Sequence, residues 1–200
     1  MTRRGREGMS LVEAILSVVI FVVIAAGILV SMLMGNRSFI VNDAQVHVQE
    51  EIRRAFDNMT TELREAGGTV TVTGGDQLEF QIALGYDLPN PCPADAVCWG
   101  ARDVAGAAQA DWSIRYRLNG TRLVRELLDA GGTVQAGTRA LAVDASSLVF
   151  TLFDDTDADT DPDMVTIQLQ ITDTRPQLPN GGISAGAAPI TTQVRLRNAG

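Results

Sequence analysis

Three parts of the sequence contain residue types that could support chemistry. Glu13 stands at the start of a long apolar run, Cys92 and Cys98 are the only cysteines, and residues 154–163 include six aspartates. The single histidine, His47, has no sequence neighbour that suggests a catalytic pair, and the G-x-S-x-G and P-loop motifs are absent. We therefore do not expect an enzyme.

The two cysteines lie six positions apart in the segment 91–99, PCPADAVCW. This spacing, in a loop rich in Pro and Ala, favours a small disulfide formed in an oxidising compartment. Two unpaired thiols are the alternative. A zinc site is disfavoured because no second Cys/His pair is present to complete four ligands.

The aspartate-rich segment 154–163, DDTDADTDPD, is a candidate for Ca²⁺, which prefers several carboxylate oxygens on a flexible loop. The EF-hand pattern fails, because counting from Asp155 the sixth residue is Thr160 instead of Gly and the twelfth is Thr166 instead of Glu. A solvated turn between two strands is the alternative, since Asp is common in turns. We expect no other cofactor. The candidate calcium ligands are Asp155, Asp157, Asp159 and Asp161.

A membrane-spanning helix is predicted for the run from Ala14 to Met34, which contains no charged residue. At about 1.5 Å per residue this run is about 31 Å long, which matches the hydrocarbon thickness of a bilayer. Arg3, Arg4 and Arg6 precede it, so the positive-inside rule predicts a cytoplasmic N-terminus and an extracytoplasmic remainder, in the cytoplasmic (inner) membrane. A cleaved secretory signal is disfavoured because the apolar run is long and shows no small-x-small site, whereas an uncleaved signal anchor stays open.

The segment just before this run, GMSLVE over residues 8–13, resembles the processing motif of the type IV pilin superfamily. In that family a short basic leader ends in Gly, a membrane peptidase cuts after it and methylates the new N-terminus, and a Glu is the fifth residue of the mature chain. The resemblance implies cleavage between Gly8 and Met9, N-methylation of Met9, and a role in assembly for Glu13. Met9 departs from the usual Phe, which bears on how efficiently the leader is removed.

Glu13 also has a physical reason to be paired. A carboxylate just inside a membrane helix costs on the order of 2–3 kcal/mol, so it usually has a partner. Cleavage after Gly8 would create one, a cationic amine on Met9. In an assembled bundle the amine of one subunit could neutralise Glu13 of its neighbour and set the axial stagger between helices. The alternative is that Glu13 lies at the membrane interface and reaches water.

An amphipathic helix is predicted beyond the apolar run. Apolar residues recur from Val48 to Ala66 at spacings of three and four, and Gly67-Gly68 would end the helix. The predicted organisation is a leader over 1–8, a transmembrane and filament-packing helix over 9–34, its amphipathic continuation over 35–66 and an antiparallel β head domain over 67–200.

After Gly68 the hydrophobic pattern changes to the period of two that is typical of strands. Asn119-Gly120, between two alternating runs, is the strongest hairpin signal, and Gly74-Gly75 could form another tight turn. The expected fold class is α+β, with a long N-terminal helix packed on an antiparallel sheet. The predicted strands are 69–73, 77–82, 112–118, 121–127, 148–153, 164–172 and 191–197.

The resemblance continues, more weakly, in the head. Segments 147–154, 172–177 and 191–198 resemble the closing part of minor pilins and pseudopilins of the PilW/PulJ kind. This implies a minor pilin or pseudopilin that primes or caps a type IV pilus or a type II secretion pseudopilus. Its partners would be other pilin or pseudopilin subunits, the prepilin peptidase/methyltransferase and the inner-membrane assembly platform. A major pilin of the filament shaft and a signal-anchored extracytoplasmic binding domain are the alternatives.

The charge of the chain argues against nucleic acid as a partner. The formal net charge is −8, and the 16 basic residues, all of them Arg, form no cluster that predicts a basic face. Since nucleic-acid affinity depends on Arg and Lys contacts to phosphates, we do not expect the head to bind nucleic acid.

Overall fold

The computed structural model of the chain describes residues 10–86, 92, 94–154, 162–174, 182–184 and 188–197. The chain divides into two compact units, Met1–Asp43 and Ala44–Gly200. The described part of the first unit is helical, and the second unit contains the rest of the same helix followed by the strands.

Helix α1 (Leu11–Leu63) begins after Ser10, whose carbonyl accepts a hydrogen bond from the Ala14 N–H at 3.1 Å. It ends at Leu63, three residues before the predicted boundary. The predicted stop at Gly67-Gly68 is wrong, because both glycines belong to the first strand, where they lie beside an irregularity in its pairing. The helix therefore ends without a glycine cap of the predicted kind.

In the second unit α1 buries one apolar stripe. The predicted amphipathic pattern from Val48 onward is confirmed, and the stripe starts one turn earlier, at Ala44. Glu51 is also buried on this part of the helix, where Arg54 pairs with its carboxylate. The buried apolar residues follow the spacing of three and four that places side chains on one helix face. They are Ala44, Val48, Ile52, Ala55, Met59 and Leu63.

Among the described residues, seven strands form the first sheet. Their bounds are β1 (Ala66–Thr73), β2 (Gln77–Tyr86), β3 (Val97–Arg102), β4 (Ala108–Ala110), β5 (Ser113–Asn119), β6 (Arg122–Leu128) and β7 (Arg139–Ala142). The spatial order is β4-β3-β2-β5-β6-β7, with β1 also paired to β2, and every pairing between these strands is antiparallel. Gly74 and Gly75, both at positive φ, make the predicted turn between β1 and β2.

Four strands in the described part of the chain form the second sheet. They are β8 (Ala145–Phe153), β9 (Met164–Asp173), β10 (Ile183–Ser184) and β11 (Ile190–Arg195). β9 pairs antiparallel with each of the other three. Two backbone hydrogen bonds join β8 to turns of the first sheet. The Phe150 N–H donates to the Gly75 carbonyl at 2.7 Å, and the Ala145 N–H donates to the Thr121 carbonyl at 2.8 Å.

The hairpin between β5 and β6 is present, and its turn lies one residue later than predicted. Asn119 pairs with Arg122, so the two turn residues are Gly120 and Thr121. Gly120 has φ 63° at the first of these positions, which suits the type II′ turn that follows the twist of a hairpin. The resulting register places Tyr116 directly opposite Arg125.

The core lies between the α1 stripe and the apolar faces of the strands. Along β2 and β9 buried residues alternate with half-buried ones, as expected for strands with one face in the core. The rings of Phe80 and Tyr116 pack with their centroids 5.5 Å apart. The predicted α+β fold, a long helix on antiparallel strands, is confirmed, with the strands divided between two sheets.

Candidate functional site: an exposed apolar helix surface with one carboxylate

The first unit exposes a long apolar surface on α1, here called the apolar surface, from Leu11 to Met34. Seventeen large apolar side chains in this range are exposed, and none of the most apolar stretch is buried by the rest of the chain. Burying such a side chain is worth about 1.5–3 kcal/mol, so leaving all of them in water would forfeit on the order of 25 kcal/mol or more. The helix is long and apolar enough to cross a membrane. The apolar surface therefore needs lipid or other helices around it.

Glu13 is the only charged side chain on the apolar surface. It lies in the first turn of α1, where the positive end of the helix dipole stabilises a carboxylate by about 0.3–1 kcal/mol. Its backbone carbonyl accepts a hydrogen bond from the Ser17 hydroxyl at 2.8 Å, so that hydroxyl is satisfied within the helix. The Glu13 side chain is exposed, and among the described residues no side chain or backbone group donates a hydrogen bond to its carboxylate. In lipid, a partner for this carboxylate would have to come from outside the described residues or from another molecule.

The predicted cleavage site, Gly8 and Met9, lies outside the described residues, as does the N-methylation predicted for Met9. Both stay predictions from the sequence. The described chain begins at Ser10, whose carbonyl starts the helical hydrogen bonding. A new terminus at Met9 would therefore precede Leu11, the first residue of α1, by two positions in the sequence, and Glu13 lies in the first turn of that helix.

The candidate calcium ligands also lie outside the described residues, so calcium binding by the aspartate-rich segment stays a prediction. Within the part of the chain that the structure describes, no group of three or more His, Cys, Asp or Glu side chains is arranged to hold a metal ion. The ligands concerned are Asp155, Asp157, Asp159 and Asp161.

Cys92 and Cys98 form a disulfide, as their spacing predicts. Cys98 is fully buried in β3, where it pairs with β2, so the cross-link fastens the loop before β3 to the core. In the same loop the Tyr86 hydroxyl donates a hydrogen bond to the Asp95 carbonyl at 3.0 Å. A structural disulfide is typical of proteins kept in an oxidising compartment.

A polar cluster that the sequence did not reveal joins α1 to the hairpin of β5 and β6. We call it the Glu62 network. Tyr116, a buried residue, donates its hydroxyl proton to Glu62 Oε2 at 2.6 Å, and Arg125 Nε donates to the two Glu62 oxygens at 2.8 and 3.0 Å. Arg139 Nη2 adds a longer bond of 3.3 Å to Oε1. Burial, and then the charge of Glu62, raise the pKa of the Tyr116 phenol well above its usual value.

A second carboxylate, Glu126, lies on the same hairpin between two arginines. Arg117 donates to both of its oxygens, at 2.7 and 3.0 Å, and Arg115 donates to Oε2 at 2.5 and 2.9 Å. Glu126 is buried, and the hydrogen bond from Arg117 is the main cause that lowers the pKa of its carboxyl, followed by the bond from Arg115. Two guanidinium groups and one carboxylate leave this cluster with one excess positive charge. Its hydrogen bonds join β5 to β6, so its role is to stabilise the sheet.

Two loops share one sequence pattern, D-x-x-G-x-x-Q, over residues 103–109 and 129–135. In each, the aspartate Oδ1 accepts backbone N–H groups two and four residues later at 2.9 Å, and the glutamine donates to Oδ2, at 3.0 Å in the first loop and 2.7 Å in the second. The backbone bonds lower the pKa of both Asp103 and Asp129. The repeated pattern was visible in the sequence. Both oxygens of each aspartate accept hydrogen bonds from their own loop, so few lone pairs are left to bind a ligand.

No protein-family model, no curated protein and no solved structure matches this chain. The layout of the chain, a long N-terminal apolar helix on an antiparallel sheet, is pilin-like. The helix, the sheet head and the disulfide together are compatible with a pilin-like protein.

Proposed function

We propose that this chain is a minor pilin or pseudopilin. In this role it is inserted in the cytoplasmic membrane, loses residues 1–8, and joins a pilus or pseudopilus through α1. It acts as a structural subunit and not as an enzyme. Its partners are other pilin or pseudopilin subunits, the prepilin peptidase/methyltransferase and the inner-membrane assembly platform.

The observation that carries this proposal is the pairing of the apolar surface with a single carboxylate at its N-terminal end. A plain membrane anchor needs only the apolar residues, and a buried carboxylate would weaken it. A helix that must leave lipid and pack beside identical helices gains from a charged group that fixes its position along the bundle axis. Glu13 in the first turn, five residues after Gly8, suits that second role.

The mechanism follows from charge. Removal of the leader would expose the Met9 amine, a cation at the positive end of the helix dipole, where it is disfavoured unless a carboxylate lies close by. Glu13 of a neighbouring subunit can supply that carboxylate in a low-dielectric bundle, where the attraction is far stronger than in water. The pair would form at one axial offset between adjacent helices, and this offset would set the rise of the filament.

The disulfide supports an extracytoplasmic head. Cys98 is buried in β3, so the bond is part of the folded head and not a surface accessory. Thiols in the cytoplasm are kept reduced, whereas this bond would persist outside the membrane. That side of the membrane agrees with the basic leader, which the positive-inside rule keeps in the cytoplasm.

Removal of the leader is the decisive test. The chain is expressed in a bacterium with a working prepilin peptidase, and its intact mass is measured after extraction in detergent. We expect a mass that lacks residues 1–8 and carries one added methyl group on the amine of Met9. In the Gly8→Ala variant the leader should stay attached.

The leader offers a matched control, because it contains a second glycine at position 5. Gly5→Ala should be processed like the unmodified chain. An unmodified N-terminus in all three proteins would instead support the signal-anchored extracytoplasmic binding domain. If the leader is removed, abundance in sheared filaments separates a major pilin, which would dominate them, from a minor one.

A further inference from the structure

Arg37 is the first charged residue of α1 after the charge-free run from Ala14 to Met34. It is exposed and lies in a shallow groove on one face of the helix. The groove begins at the last residue of the apolar surface, so it offers both apolar and polar contacts just beyond that surface. Its lining residues are Met34, Arg37, Ser38, Val41 and Asn42.

The position of Arg37 along the helix corresponds to the headgroup layer of a bilayer. The charge-free run is as long as the hydrocarbon layer of about 30 Å, and the headgroup regions add about 5–7 Å on each side. Arg37 follows Met34 by about 4.5 Å along the helix axis, which is inside that layer. The next charged residue, Asp43, follows Met34 by about 13.5 Å and is outside it. The only charged residue of α1 at the level of these lipid phosphates is therefore a cation.

The helix itself offers Arg37 no ion pair. Side chains three and four positions away are its neighbours on the helix surface, and all four of them are uncharged. They are Leu33, Met34, Ile40 and Val41. Because the Cα–Cβ bonds of a helix tilt towards its N-terminus, the Arg37 side chain leaves the backbone in the direction of the apolar surface. A guanidinium placed in this way needs an anion at the boundary of the apolar surface.

We propose that Arg37 binds the phosphate groups of lipids in the extracytoplasmic leaflet. The planar guanidinium donates two parallel hydrogen bonds to a phosphate, a geometry that an ammonium group does not offer. The phosphate belongs to a lipid and not to a soluble molecule, because the groove continues the apolar surface, which itself needs an apolar environment. The proposal rests on the membrane insertion that is part of the proposed function.

The distance between Arg37 and Glu13 supports this position in the membrane. The two residues are 24 positions apart, about 36 Å along the helix, which exceeds the hydrocarbon thickness by about 6 Å. When the Arg37 guanidinium is at the outer phosphates, the Glu13 carboxylate therefore comes to the cytoplasmic boundary of the hydrocarbon layer, where its side chain can reach water. The two charged groups at the ends of the apolar surface thus fit the two faces of one bilayer.

The test measures the contact directly. The full-length chain, labelled with ¹³C at the arginine Cζ atoms, is placed in nanodiscs with one copy per disc and in a buffer without phosphate. Lipid is then the only source of phosphorus, and solid-state NMR measures the fraction of the Cζ signal that short-range coupling to ³¹P dephases. We expect a dephased fraction that decreases in the Arg37→Gln variant. Arginines of a leader that is still attached add a background that this substitution leaves unchanged.

Arg53→Gln is the matched control, because Arg53 is exposed on the same helix about 24 Å beyond Arg37 along the axis. It should leave the dephased fraction unchanged. Equal dephasing in the Arg37→Gln variant and the unmodified chain would overturn the proposal, as would equal losses in the two variants. These two results would leave the proposed function standing, since leader removal after Gly8 is measured separately. A chain that does not enter the discs at all would contradict membrane insertion and so both proposals.

Discussion

Replacing Glu62 with Ala removes the acceptor that joins α1 to the hairpin of β5 and β6. Three donors then lose their acceptor, and two of them are largely buried. The Tyr116 hydroxyl has no exposed surface, and the Arg125 side chain is only 12% exposed, so water cannot readily replace the carboxylate. Arg139 is about half exposed and can be hydrated.

The expected cost follows from these exposures. A buried donor left without an acceptor costs about 1–3 kcal/mol, and breaking a largely buried ion pair by removing one partner costs about 3–5 kcal/mol. Because Glu62 itself keeps some contact with water, we take the lower part of that range, about 3 kcal/mol for Glu62→Ala. Tyr116→Phe removes one hydrogen bond and leaves Glu62 paired with Arg125, so about 1.5 kcal/mol is expected.

The free energy of unfolding is measured on the full-length chain in a neutral detergent, with guanidinium chloride as denaturant. Trp99 and Trp112, both in the second unit, report the unfolding of the head by fluorescence. Glu50→Ala is the matched control, since Glu50 is exposed on the same helix, and its effect should stay within about 0.5 kcal/mol. In the Glu62→Ala background, adding Tyr116→Phe should cost nothing or restore stability, because it removes the orphaned hydroxyl.

Two results would refute this reasoning. Glu62→Ala could destabilise the head no more than Glu50→Ala does, which would mean that the apolar stripe alone holds α1. The costs of Glu62→Ala and Tyr116→Phe could also simply add in the double variant, and the two groups would then be uncoupled despite the 2.6 Å between their oxygens.

Three further outcomes are expected. Because the folded-state pKa of Tyr116 lies above its usual 10.0, the unfolded chain loses that proton first, so head stability should fall as the pH rises past about 10; Tyr116→Phe should flatten this fall in denaturant titrations at pH 8 to 11. The pKa of Glu126 is lowered from its usual 4.5, so its contribution to stability is present above that pH and is lost as the pH falls further; Glu126→Gln should make the acid side of the profile shallower, and an unchanged slope would contradict it. Glu13→Ala should insert into the membrane normally yet fail to enter filaments, as judged by fractionation and by blotting of sheared filaments, and normal incorporation would remove its assembly role.

The sequence predicted the strands whose own residues alternate between apolar and polar. The strands around Leu78 and Ile167 alternate clearly, and all seven predicted strands are present in the structure. It missed β3, β4, β7 and β10, which have six, three, four and two residues and little alternation of their own. Short strands of this kind form because a neighbouring strand offers backbone groups for hydrogen bonding. Their positions therefore depend on tertiary pairing and not on local propensity.

The residues of the candidate site also fall into two groups, those that the sequence could predict and those that it could not. Glu13 and the cysteines could be found because their context is local, a few residues on either side. The Glu62 network could not, because Tyr116, Arg125 and Arg139 lie 54, 63 and 77 residues further along the chain. The network can be recognised only once the hairpin register is known, because that register puts Tyr116 opposite Arg125.

Each half of α1 combines an apolar face with a carboxylate, Glu13 in the first half and Glu62 in the second, to which we assign contacts beyond the helix, and the physical reason is the same in each. Similar apolar side chains recur every three or four residues along the helix. Their contacts determine which face of the helix is covered. They discriminate poorly between positions one turn apart, because the hydrophobic effect has no direction. A carboxylate with two or more donors has a direction, and its hydrogen bonds form at one axial position only. In the head, Glu62 performs this task with Tyr116 and Arg125. In the proposed filament, Glu13 performs it with an amine that exists only after the leader has been removed.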